Sequence, residues 1–328
     1  MKAVVLAGGH ATRLWPVTRN RAKPLLPLDG VPIIDYIMSE LAATDAIDEI
    51  YISTNKRFAP DFESYVQRYG YEDTEIVVED QRSEDEKPGT IGAILKLLDE
   101  HGMDDDYLII GGDNYYSFAI QDFLEFTNGM PAVACYDIGD TSAASSFGVV
   151  TADEEHTITD FTEKPEDPDS TLVSMACYYF PEDKLELFEQ YADHFATTVI
   201  PEEQYLDEPG RLIEWAHTRE QMRAFSFSGD WFDIGTRQGY LDAHAAVAEE
   251  STTVNGAVTD TELGENVWVM DGADVTDSHL ENCIIFPEAE IEDTTVKDSI
   301  IDREATLSGA DLESSIIGEY SRIKTRRD

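Results

Sequence analysis

The run MKAVVLAGGHATRLWPVTRNRAKPLLPL, residues 1–28, opens the chain and sets the interpretation of its fold. Residues 3–7 are a short apolar, β-branched run that predicts a strand, and Gly8 and Gly9 follow it directly. Because glycine lets backbone N–H groups approach a ligand closely, a glycine pair at a strand end is a candidate phosphate cradle. The run contains basic residues but no acidic ones. The basic residues are Lys2, Arg13, Arg19, Arg21 and Lys23.

The charge of the whole chain makes this run unusual. The 328 residues include 68 Asp and Glu against 23 Lys and Arg, so the formal net charge is −45. This excludes a basic nucleic-acid-binding protein. The acidic residues are spread along the chain, which indicates a solvated surface suited to high ionic strength, as in a halophile, with an ordinary acidic cytosolic protein as the alternative.

The acid-free opening run is therefore the expected binding point for a polyanion, with an unliganded basic loop as the alternative. Arg13 and Lys23 can bring cationic charge to phosphate oxygens. Because proline disfavours a helical backbone at the preceding residue, Pro24 predicts an extended arm at Lys23. The run has neither the G-x-G-x-x-G of dinucleotide sites nor the G-K-[ST] of a P-loop, so it requires another kind of phosphate cradle.

Outward from this run, strand-like segments alternate with amphipathic segments to about residue 245. Apolar residues recur at helical spacing from Ile33 to Leu41 and from Ile94 to Leu98. This alternation predicts an α/β, Rossmann-like domain over residues 1–245, with a mainly parallel sheet whose carboxyl ends hold ligands. The predicted strands are residues 3–7, 50–54, 75–78, 107–110, 132–136, 173–180 and 223–227.

The hydrophobic pattern changes at about residue 250, where single aliphatic residues recur at steps of five or six. Three such steps make a 16-residue coil, which predicts a three-sided parallel β-helix over residues 251–328. Short strands of a β-sandwich are the alternative. The predicted internal ladder is Val275, Leu280, Ile285, Ile291, Val296, Ile301, Leu307, Leu312, Ile317 and Ile323.

Cysteine usage and hydropathy indicate the compartment. Cys135, Cys177 and Cys283 lie far apart in apolar runs and are odd in number, which indicates reduced thiols in the core. No stretch approaches the ~18 apolar residues of a membrane helix. We therefore expect a soluble cytoplasmic protein.

Several motifs together resemble the sugar-1-phosphate nucleotidyltransferases. Residues 6–24 are similar to that family's signature G-G-x-G-T-R-L-x-P-x-T with a downstream K-P. Many members carry a left-handed β-helix, so the resemblance implies that hand for the second region. The other matches are GTIG at 89–92, GDN at 112–114, FGVV at 147–150, EKP at 163–165 and WFDIGT at 231–236.

The resemblance implies roles on the nucleotide side of the site. Arg13 would stabilise the pyrophosphate leaving group, for which a guanidinium is well suited, and Lys23 would neutralise charge at the α-phosphate. Asp113 and Asp233 would bind Mg²⁺, which takes oxygen ligands and bridges phosphates. The implied nucleotide-binding residues are Gly8, Gly9, Gly89 and Thr90, with Thr90 also predicted as a helix N-cap.

On the sugar side, Glu163 would accept hydrogen bonds from hydroxyl groups and Lys164 would bind the phosphate. Pro165 again limits the backbone before it. An exposed ion pair without a role is the alternative for these two residues. The implied sugar-phosphate residues are Asn114, Gly148, Glu163, Lys164 and Tyr178.

The chain also departs from the family pattern. Ala11 stands where the family has a third glycine, so the backbone there must avoid positive φ or accept strain. The acidic insert from Gln81 to Lys87 lies where base-reading residues are expected. No arginine is assigned to clamp the sugar phosphate, and Arg211 is left outside the assigned set.

The resulting hypothesis is Mg²⁺-dependent transfer of a nucleotidyl group to a hexose-1-phosphate. The G-D-N form of the metal motif resembles the glucose-1-phosphate thymidylyltransferase branch, which implies dTTP and glucose-1-phosphate, followed by UTP, with other hexoses open. A catalytically silent binding or regulatory subunit is the alternative, although such a protein would be expected to lose the site charges that are present here.

The β-helix suggests a third possibility and a partner. Acyl transfer by a β-helix would need a histidine base, and His279 is the one histidine in residues 251–328. We expect instead a packing surface that makes a homo-oligomer. The basic residues at the end of the chain, as a solvated tail or a contact to an acidic neighbour, are Arg322, Lys324, Arg326 and Arg327.

Overall fold

The computed structural model describes residues 1–71, 73–79, 89–196 and 202–325, so the insert from Gln81 to Lys87, Arg326 and Arg327 lie outside the described residues. The chain forms two compact units. The first comprises Met1–Gly9, Ile34–Gly112 and Tyr116–Trp231, and the second comprises His10–Ile33, Asp113–Tyr115 and Phe232–Asp328. The opening run is therefore divided, since its strand and glycine pair belong to the first unit and its remaining basic residues to the second.

Up to residue 250 the helices and strands are as follows. The strands are β1 (Lys2–Leu6), β2 (Pro27–Leu28), β3 (Val31–Pro32), β4 (Glu49–Asn55), β5 (Thr74–Glu79), β6 (Tyr107–Gly111), β7 (Asn114–Tyr116), β8 (Ala132–Asp137), β9 (Gly148–Ala152), β10 (Ile158–Glu163), β11 (Leu172–Phe180), β12 (Arg223–Ser226) and β13 (Trp231–Asp233). The α-helices are α1 (Ile33–Ala43), α2 (Ala59–Tyr69), α3 (Gly89–His101), α4 (Ile120–Thr127), α5 (Thr141–Ala144), α6 (Glu186–Ala196), α7 (Glu202–Asp207), α8 (Pro209–Ala216) and α9 (Arg237–Val247).

The main sheet of the first unit confirms the predicted α/β class. Its strands run in the order β10-β9-β11-β6-β1-β4-β5, with β8 and β12 attached through β11. The strands β6, β1, β4 and β5 are parallel, so Val4 lies between Tyr51 and Ile109. Around β11 the pairing is antiparallel, which the sequence pattern did not indicate. All seven predicted strands and both predicted helices are present.

Buried apolar side chains explain why β1 and β6 sit inside the sheet. Val4 and Ile109 belong to a core cluster that also contains Ile94 and Leu97 of α3. Strands covered by helices on both faces lose nearly all contact with water, and β6 is buried at every position. Cys135 and Cys177 are buried here as free thiols, and Cys283 is buried in the second unit, as predicted. Among the described residues, no helix has the length and apolarity to cross a bilayer.

After residue 250 the second unit forms the predicted left-handed parallel β-helix. Strands β18, β20, β22 and β25 pair in parallel, and Val275, Ile291, Leu307 and Ile323 align one coil apart. The strands are β14 (Thr252–Val254), β15 (Ala257–Thr259), β16 (Glu262–Leu263), β17 (Val267–Val269), β18 (Asp274–Thr276), β19 (His279–Ile285), β20 (Glu290–Glu292), β21 (Thr295–Ile301), β22 (Thr306–Ser308), β23 (Asp311–Glu313), β24 (Ile316–Ile317) and β25 (Arg322–Lys324).

The aliphatic ladder fills the inside of the β-helix. Seven of its ten predicted members, from Val275 to Leu307, are buried, and Leu312, Ile317 and Ile323 pack against them. An earlier coil contributes Val258, which pairs with Val275 at a spacing of 275 − 258 = 17 residues. This coil is one residue longer than the 16-residue repeat. The predicted ladder therefore began at Val275 and missed the coil that contains Val258.

One corner of the β-helix is built from polar residues. Asn266, Asn282 and Asp298 have φ values of 50°, 45° and 45°, a left-handed backbone that asparagine and aspartate tolerate. Asn266 Nδ2 donates to Asn282 Oδ1 over 2.6 Å, and Asn282 Nδ2 donates to Asp298 Oδ1 over 2.5 Å. These side-chain bonds connect successive coils where the strands turn.

The segment His10–Ile33 is braced by the β-helix within the second unit. Arg21 Nη2 lies 3.2 Å from Asp302 Oδ1, and its guanidinium stacks 5.0 Å from the Phe286 ring centroid. Asn20 Nδ2 donates to Glu319 Oε1 over 2.5 Å. Burial raises the pKa of Asp302 above its ordinary value, although the charge of Arg21 opposes this. Arg21 therefore forms a structural ion pair with Asp302 and is not available to bind a polyanion.

Candidate active site

Lys23, Asp113 and Asp233 converge in the second unit. Lys23 Nζ lies 2.5 Å from Asp113 Oδ2 and 3.9 Å from Asp233 Oδ1. The Lys23 side chain is 8% exposed, whereas the two carboxylates keep 35% and 33% of their accessible surface. A buried ammonium thus faces two partly exposed carboxylates, which leaves carboxylate oxygens open to a ligand.

Local structure explains how the two carboxylates meet. Asp113 follows the buried strand β6 and directly precedes β7, while Asp233 is the last residue of β13. The strands β7 and β13 pair as a two-stranded sheet. Three residues after Asp233, Thr236 accepts a hydrogen bond from the Gly239 N–H and caps α9. This cap fixes the turn that follows Asp233.

Burial and three neighbouring charges act on the Asp233 carboxyl. Burial raises the pKa of Asp233, the nearby Asp113 raises it further, and Lys23 and Arg13 lower it. A Cβ atom at Gly235 would come within 3.0 Å of Arg13 Nη2 and 3.2 Å of both Asp233 carboxylate oxygens. Arg13 and Asp233 therefore both lie against Gly235, and a larger residue there would displace one of them.

The backbone at Lys23 differs from the prediction. Lys23–Leu25 is a 3-10 helix, closed by a hydrogen bond from the Leu26 N–H to the Lys23 carbonyl over 3.0 Å, so the extended arm was wrong. The extended residue is Ala22, at φ −63° and ψ 136°. Proline is tolerated in a first helical turn because its missing N–H is not needed there, and that turn overrode the usual preference.

The backbone at Ala11 accepts strain. Ala11 has φ 48° and ψ 46°, a left-handed conformation that an alanine rarely adopts. Its carbonyl accepts hydrogen bonds from the Leu14 N–H over 3.1 Å and from Thr18 Oγ1 over 2.8 Å. Ala11 therefore carries the conformational cost of a left-handed backbone at the position where the family has a glycine.

In the first unit, Glu163 is enclosed by glycines. Its side chain is 9% exposed, and β10 pairs Glu163 with Gly148. A Cβ atom at Gly210 would lie 1.7 Å from Glu163 Oε2, and one at Gly148 would lie 2.4 Å from Phe161 Cζ. A larger residue at Gly210 would displace the Glu163 carboxylate, and one at Gly148 would displace the Phe161 ring. Burial raises the pKa of Glu163, with the Lys164 charge opposing it.

Lys164 is held beside Glu163 by a second carboxylate. Lys164 Nζ lies 2.5 Å from Glu208 Oε1 and 3.7 Å from Glu163 Oε1. Glu208 Oε2 in turn accepts from Arg211 Nε over 2.7 Å. The Lys164 backbone has φ 48°, so it is left-handed rather than extended as Pro165 had suggested. Its N–H donates to the Phe147 carbonyl over 3.0 Å.

Glu208, Gly210 and Arg211 are site neighbours that the sequence did not reveal. They lie 44 or more positions from Glu163 and Lys164, and an acidic and a basic residue three apart at a helix start are common in any helix. Only the packing of α8 against β10 brings them together. Arg211, left unassigned from sequence, is thus placed beside Lys164 through Glu208.

The glycine pair follows β1 as predicted, and its surroundings are acidic. The Gly8 carbonyl accepts from Asn55 Nδ2 over 3.0 Å. A Cβ atom at Gly8 would lie 2.5 Å from Glu79 Oε1, so a buried carboxylate packs against the glycine. Gly9 is exposed with open space around it. The phosphate-binding role of both glycines stays a prediction.

The remaining predicted residues are placed as follows. Helix α3 begins at Gly89, so Thr90 lies inside the helix and its assignment as the N-cap was wrong. Asn114 Nδ2 donates to Asp113 Oδ1 over 3.0 Å, which places it with the carboxylate pair. Tyr178 is 4% exposed, with Ser174 Oγ donating to its hydroxyl over 3.4 Å. Burial raises the pKa of Tyr178.

Two expectations concern other parts of the chain. Lys2 Nζ bonds to the His101 carbonyl over 2.6 Å and lies 3.2 Å from Asp104 Oδ1, so it is a structural cation of the first unit. In the β-helix, His279 Nδ1 lies 3.2 Å from Glu262 Oε2. It is a partly buried residue at the start of β19, beside the Glu262 carboxylate.

Asp113 and Asp233 also fit a magnesium site. Within the described parts of the chain no group of three or more acidic, histidine or cysteine side chains could hold a metal ion. Mg²⁺ is commonly bound by one or two carboxylates together with substrate phosphates. Two partly exposed carboxylates beside a lysine therefore suit a metal that arrives with a nucleotide.

Comparison with known proteins identifies the family of the chain. Residues 2–250 match the family described as Nucleotidyl transferase. The bifunctional protein GlmU of Methanocaldococcus jannaschii is 28% identical over 262 residues, covering 79% of this chain and 57% of that protein. A glucose-1-phosphate adenylyltransferase of Trichlorobacter lovleyi is 30% identical over 283 residues, covering 77% of this chain and 67% of that protein.

A solved structure shares the fold. A crystal structure from Bacillus anthracis, assigned as a glucose-1-phosphate thymidylyltransferase in complex with a sucrose, has a TM-score of 0.63 and 26% identity, covering 77% of this chain and 97% of that one. The chain spans 57% of the length of the GlmU relative, so activity and partners do not follow from that match alone. The family match over most of the chain, together with the motifs and the fold, shows that the chain belongs to the nucleotidyl transferase family, as a sugar-1-phosphate nucleotidyltransferase.

Proposed function

We propose that the protein transfers a nucleotidyl group from a nucleoside triphosphate to a hexose-1-phosphate, giving an NDP-sugar and pyrophosphate. The observation that carries this proposal is the convergence of Lys23, Asp113 and Asp233, with Arg13 beside Asp233. A buried lysine, two carboxylates and an arginine are suited to phosphoryl chemistry, in which charge neutralisation and positioning dominate. A silent subunit would have no reason to keep this set.

The proposed reaction is a substitution at the α-phosphorus. A phosphate oxygen of the sugar-1-phosphate forms the new P–O bond, and the bond from the α-phosphorus to the bridging oxygen breaks, releasing pyrophosphate. The nucleophile is already anionic, so no general base is required. Lys23 would neutralise charge on the α-phosphate, and Arg13 would hold the departing pyrophosphate through its fork of donors.

Asp113 and Asp233 would hold Mg²⁺, which supplies electrophilic stabilisation of phosphate oxygens when bound. The two carboxylates have different environments, because burial and Asp113 both raise the pKa of Asp233. Asn114 would orient Asp113 by donating to its Oδ1. These residues explain why the proposed chemistry needs no histidine or cysteine.

The first unit would bind the sugar phosphate. Lys164 and Arg211 are the cations for the phosphate group, and the enclosed Glu163 would accept hydrogen bonds from sugar hydroxyls. Gly148 would let the sugar approach the backbone. Tyr178, whose hydroxyl accepts a hydrogen bond from Ser174 Oγ, is the remaining residue proposed to contact the sugar.

For the sugar we favour glucose-1-phosphate, because the Trichlorobacter lovleyi and Bacillus anthracis proteins both carry it in their names. For the base we favour dTTP, followed by UTP, on the G-D-N motif and the thymidylyltransferase neighbour. An adenylyltransferase relative makes ATP the principal competitor. Gly89 and Thr90, at the start of α3, would contact the nucleoside.

We also propose that the enzyme works at high salt and as a homo-oligomer joined through the β-helix. The net charge of −45 on 328 residues supports the first part, since like charges repel less when screened. The exposed Val254 and Tyr320 of the β-helix support the second. Light scattering and thermal melts in rising KCl test both: a dimer or larger assembly with a rising Tm supports them, and a monomer with a falling Tm contradicts them.

The activity is tested by a matrix of five nucleoside triphosphates against several hexose-1-phosphates, in molar KCl with MgCl₂. We expect one pair, dTTP with glucose-1-phosphate first, to release pyrophosphate and NDP-sugar in equal amounts. Asp113→Ala should fold and lose most of this turnover. Pyrophosphate release that needs no sugar phosphate, or that is unchanged in Asp113→Ala, would overturn the proposal.

A further inference from the structure

One carboxylate joins the two cations that would bind the sugar phosphate. Glu208 Oε1 lies 2.5 Å from Lys164 Nζ, and Glu208 Oε2 accepts from Arg211 Nε over 2.7 Å. Each oxygen of a single carboxylate thus contacts a different cation. A phosphate group would present the same kind of oxygen pair to the same two side chains.

Glu208 is positioned for this contact by the start of α8. It is the residue before Pro209, with an extended backbone at φ −106° and ψ 101°, and its carbonyl accepts the Arg211 N–H over 3.0 Å. Its side chain makes no capping hydrogen bond to the helix. The carboxylate is therefore directed to the two cations rather than to the free N–H groups of its own helix.

The charge state of Glu208 is consistent with a counter-ion. Partial burial raises the pKa of Glu208, but the hydrogen bonds and charges of Lys164 and Arg211 outweigh it, so the pKa lies below the ordinary value. At 28% exposure the side chain keeps a path to solvent. It can leave the cation pair without unfolding the helix, because the backbone bonds of α8 do not depend on it.

We propose that Glu208 is an internal counter-ion that occupies the phosphate-binding cations until a sugar phosphate displaces it. The inference rests on the proposed function, because Lys164 and Arg211 are taken as the sugar-phosphate cations. A phosphomonoester carries close to two negative charges at neutral pH and three acceptor oxygens, so it can replace one carboxylate. A singly charged anion gains much less from the exchange.

The consequence is selectivity against chloride. An open lysine–arginine pair in molar KCl would hold chloride, which would compete with the substrate. A carboxylate tethered at the pair contacts both cations and must be displaced before chloride can bind, so it lowers the occupancy by chloride. This protection suits a chain whose net charge of −45 indicates a salt-rich environment.

The experiment compares Glu208→Gln with the wild type in potassium glutamate and in potassium chloride. In glutamate, we expect the KM for the sugar phosphate and the Ki of inorganic phosphate to fall about 3- to 10-fold, because the competing charge is gone. When chloride replaces glutamate at the same molar ionic strength, the KM of Glu208→Gln should rise several-fold more than that of the wild type. The effect should appear in KM rather than in kcat.

Glu220→Gln is the matched control. Glu220 forms a comparable ion pair with Lys184 at 2.8 Å and is 35% exposed, but it contacts none of the proposed site residues. Its removal should leave KM and chloride sensitivity unchanged. If Glu208→Gln folds poorly, Glu208→Asp keeps the charge on a shorter arm and should show the same effects at smaller size.

Three results would overturn the proposal. They are a higher KM in glutamate for Glu208→Gln, a loss of kcat at constant KM, and equal chloride sensitivity in variant and wild type. Calorimetric titration of inorganic phosphate into the full-length protein separates this failure from that of the proposed function. Tighter phosphate binding by Glu208→Gln supports the counter-ion even if no substrate pair turns over, and unchanged binding contradicts it.

Discussion

Lys23 Nζ lies 2.5 Å from Asp113 Oδ2, although the two residues are 113 − 23 = 90 positions apart in the chain. The lysine is 8% exposed, so its charge acts in a poorly hydrated environment where electrostatic interactions are strong. Asp233 faces the same ammonium. This lysine–carboxylate group is the centre of the proposed chemistry.

Lys23→Met should remove most turnover while keeping the side-chain volume. We expect kcat to fall about 10²- to 10³-fold, as for the loss of one preorganised charge in a transition state. Steady-state pyrophosphate release measures the effect. Lys96→Met is the control, since Lys96 is exposed and pairs with Glu100. Equal kcat values for the wild type and Lys23→Met would contradict the assigned role.

Ala11→Gly should stabilise the protein. Ala11 has φ 48°, and an L-residue pays about 1–2 kcal/mol for a left-handed backbone that glycine adopts freely. After the larger unfolded-state entropy of glycine, we expect a net gain of about 0.5–1 kcal/mol in the free energy of unfolding. Chemical denaturation checks it, with Ala43→Gly at a helix end expected to destabilise. A loss of stability in Ala11→Gly would show that the turn carries no strain.

The Arg21–Asp302 pair should stabilise the second unit. Asp302 is 2% exposed and Arg21 is 21% exposed, so removing the carboxylate leaves a partly buried guanidinium, stacked on Phe286, without the carboxylate that pairs with it. We expect Asp302→Ala to cost about 2 kcal/mol, less than a fully buried pair. A double-mutant cycle with Arg21→Met measures the coupling. Additive effects of the two substitutions would show that the pair contributes nothing.

Glu163 should make stability depend on pH. Burial raises the pKa of Glu163, so between its ordinary and its raised pKa the folded protein binds a proton that the unfolded chain lacks. The contribution is therefore fully present below the ordinary pKa and is lost as pH rises through the raised one. Glu163→Gln should flatten this part of the stability profile and gain stability at neutral pH relative to the wild type.

Urea denaturation between pH 4 and pH 7 measures this difference, which should vanish at or below about pH 4. Glu220→Gln supplies the comparison, because it removes an ion-paired carboxylate that lies outside the site. A stability difference between Glu163→Gln and wild type that stays constant over this range would contradict the account.

Much of the fold follows from local patterns in the sequence. The ladder from Val275 to Ile323 was predictable because each coil repeats the same step, and the parallel strands because buried β-branched runs alternate with helical periodicity. The antiparallel pairing of β11 was not predictable, since it depends on which strands meet in space. The boundary between domains near residues 245–251 stays a prediction.

The site was predictable in its residue types and less so in its contacts. Motifs marked Lys23, Asp113 and Asp233, and the structure brings them together. Local rules failed where tertiary structure overrode them, as in the 3-10 turn at Lys23. No local sequence pattern marks Glu208 and Arg211 as site residues. They belong to the site because they are linked to Lys164, which lies more than forty positions away.

The central claim is transfer at the α-phosphorus by the Lys23, Asp113 and Asp233 group. It is tested by supplying one nucleoside triphosphate labelled at the α-phosphorus and, separately, at the γ-phosphorus, with a hexose-1-phosphate in molar KCl and MgCl₂. We predict that the α-label enters the NDP-sugar and the γ-label enters pyrophosphate, with both signals lost in Lys23→Met. Gamma-label in inorganic phosphate or on the sugar, with no α-label in a sugar product, would contradict it.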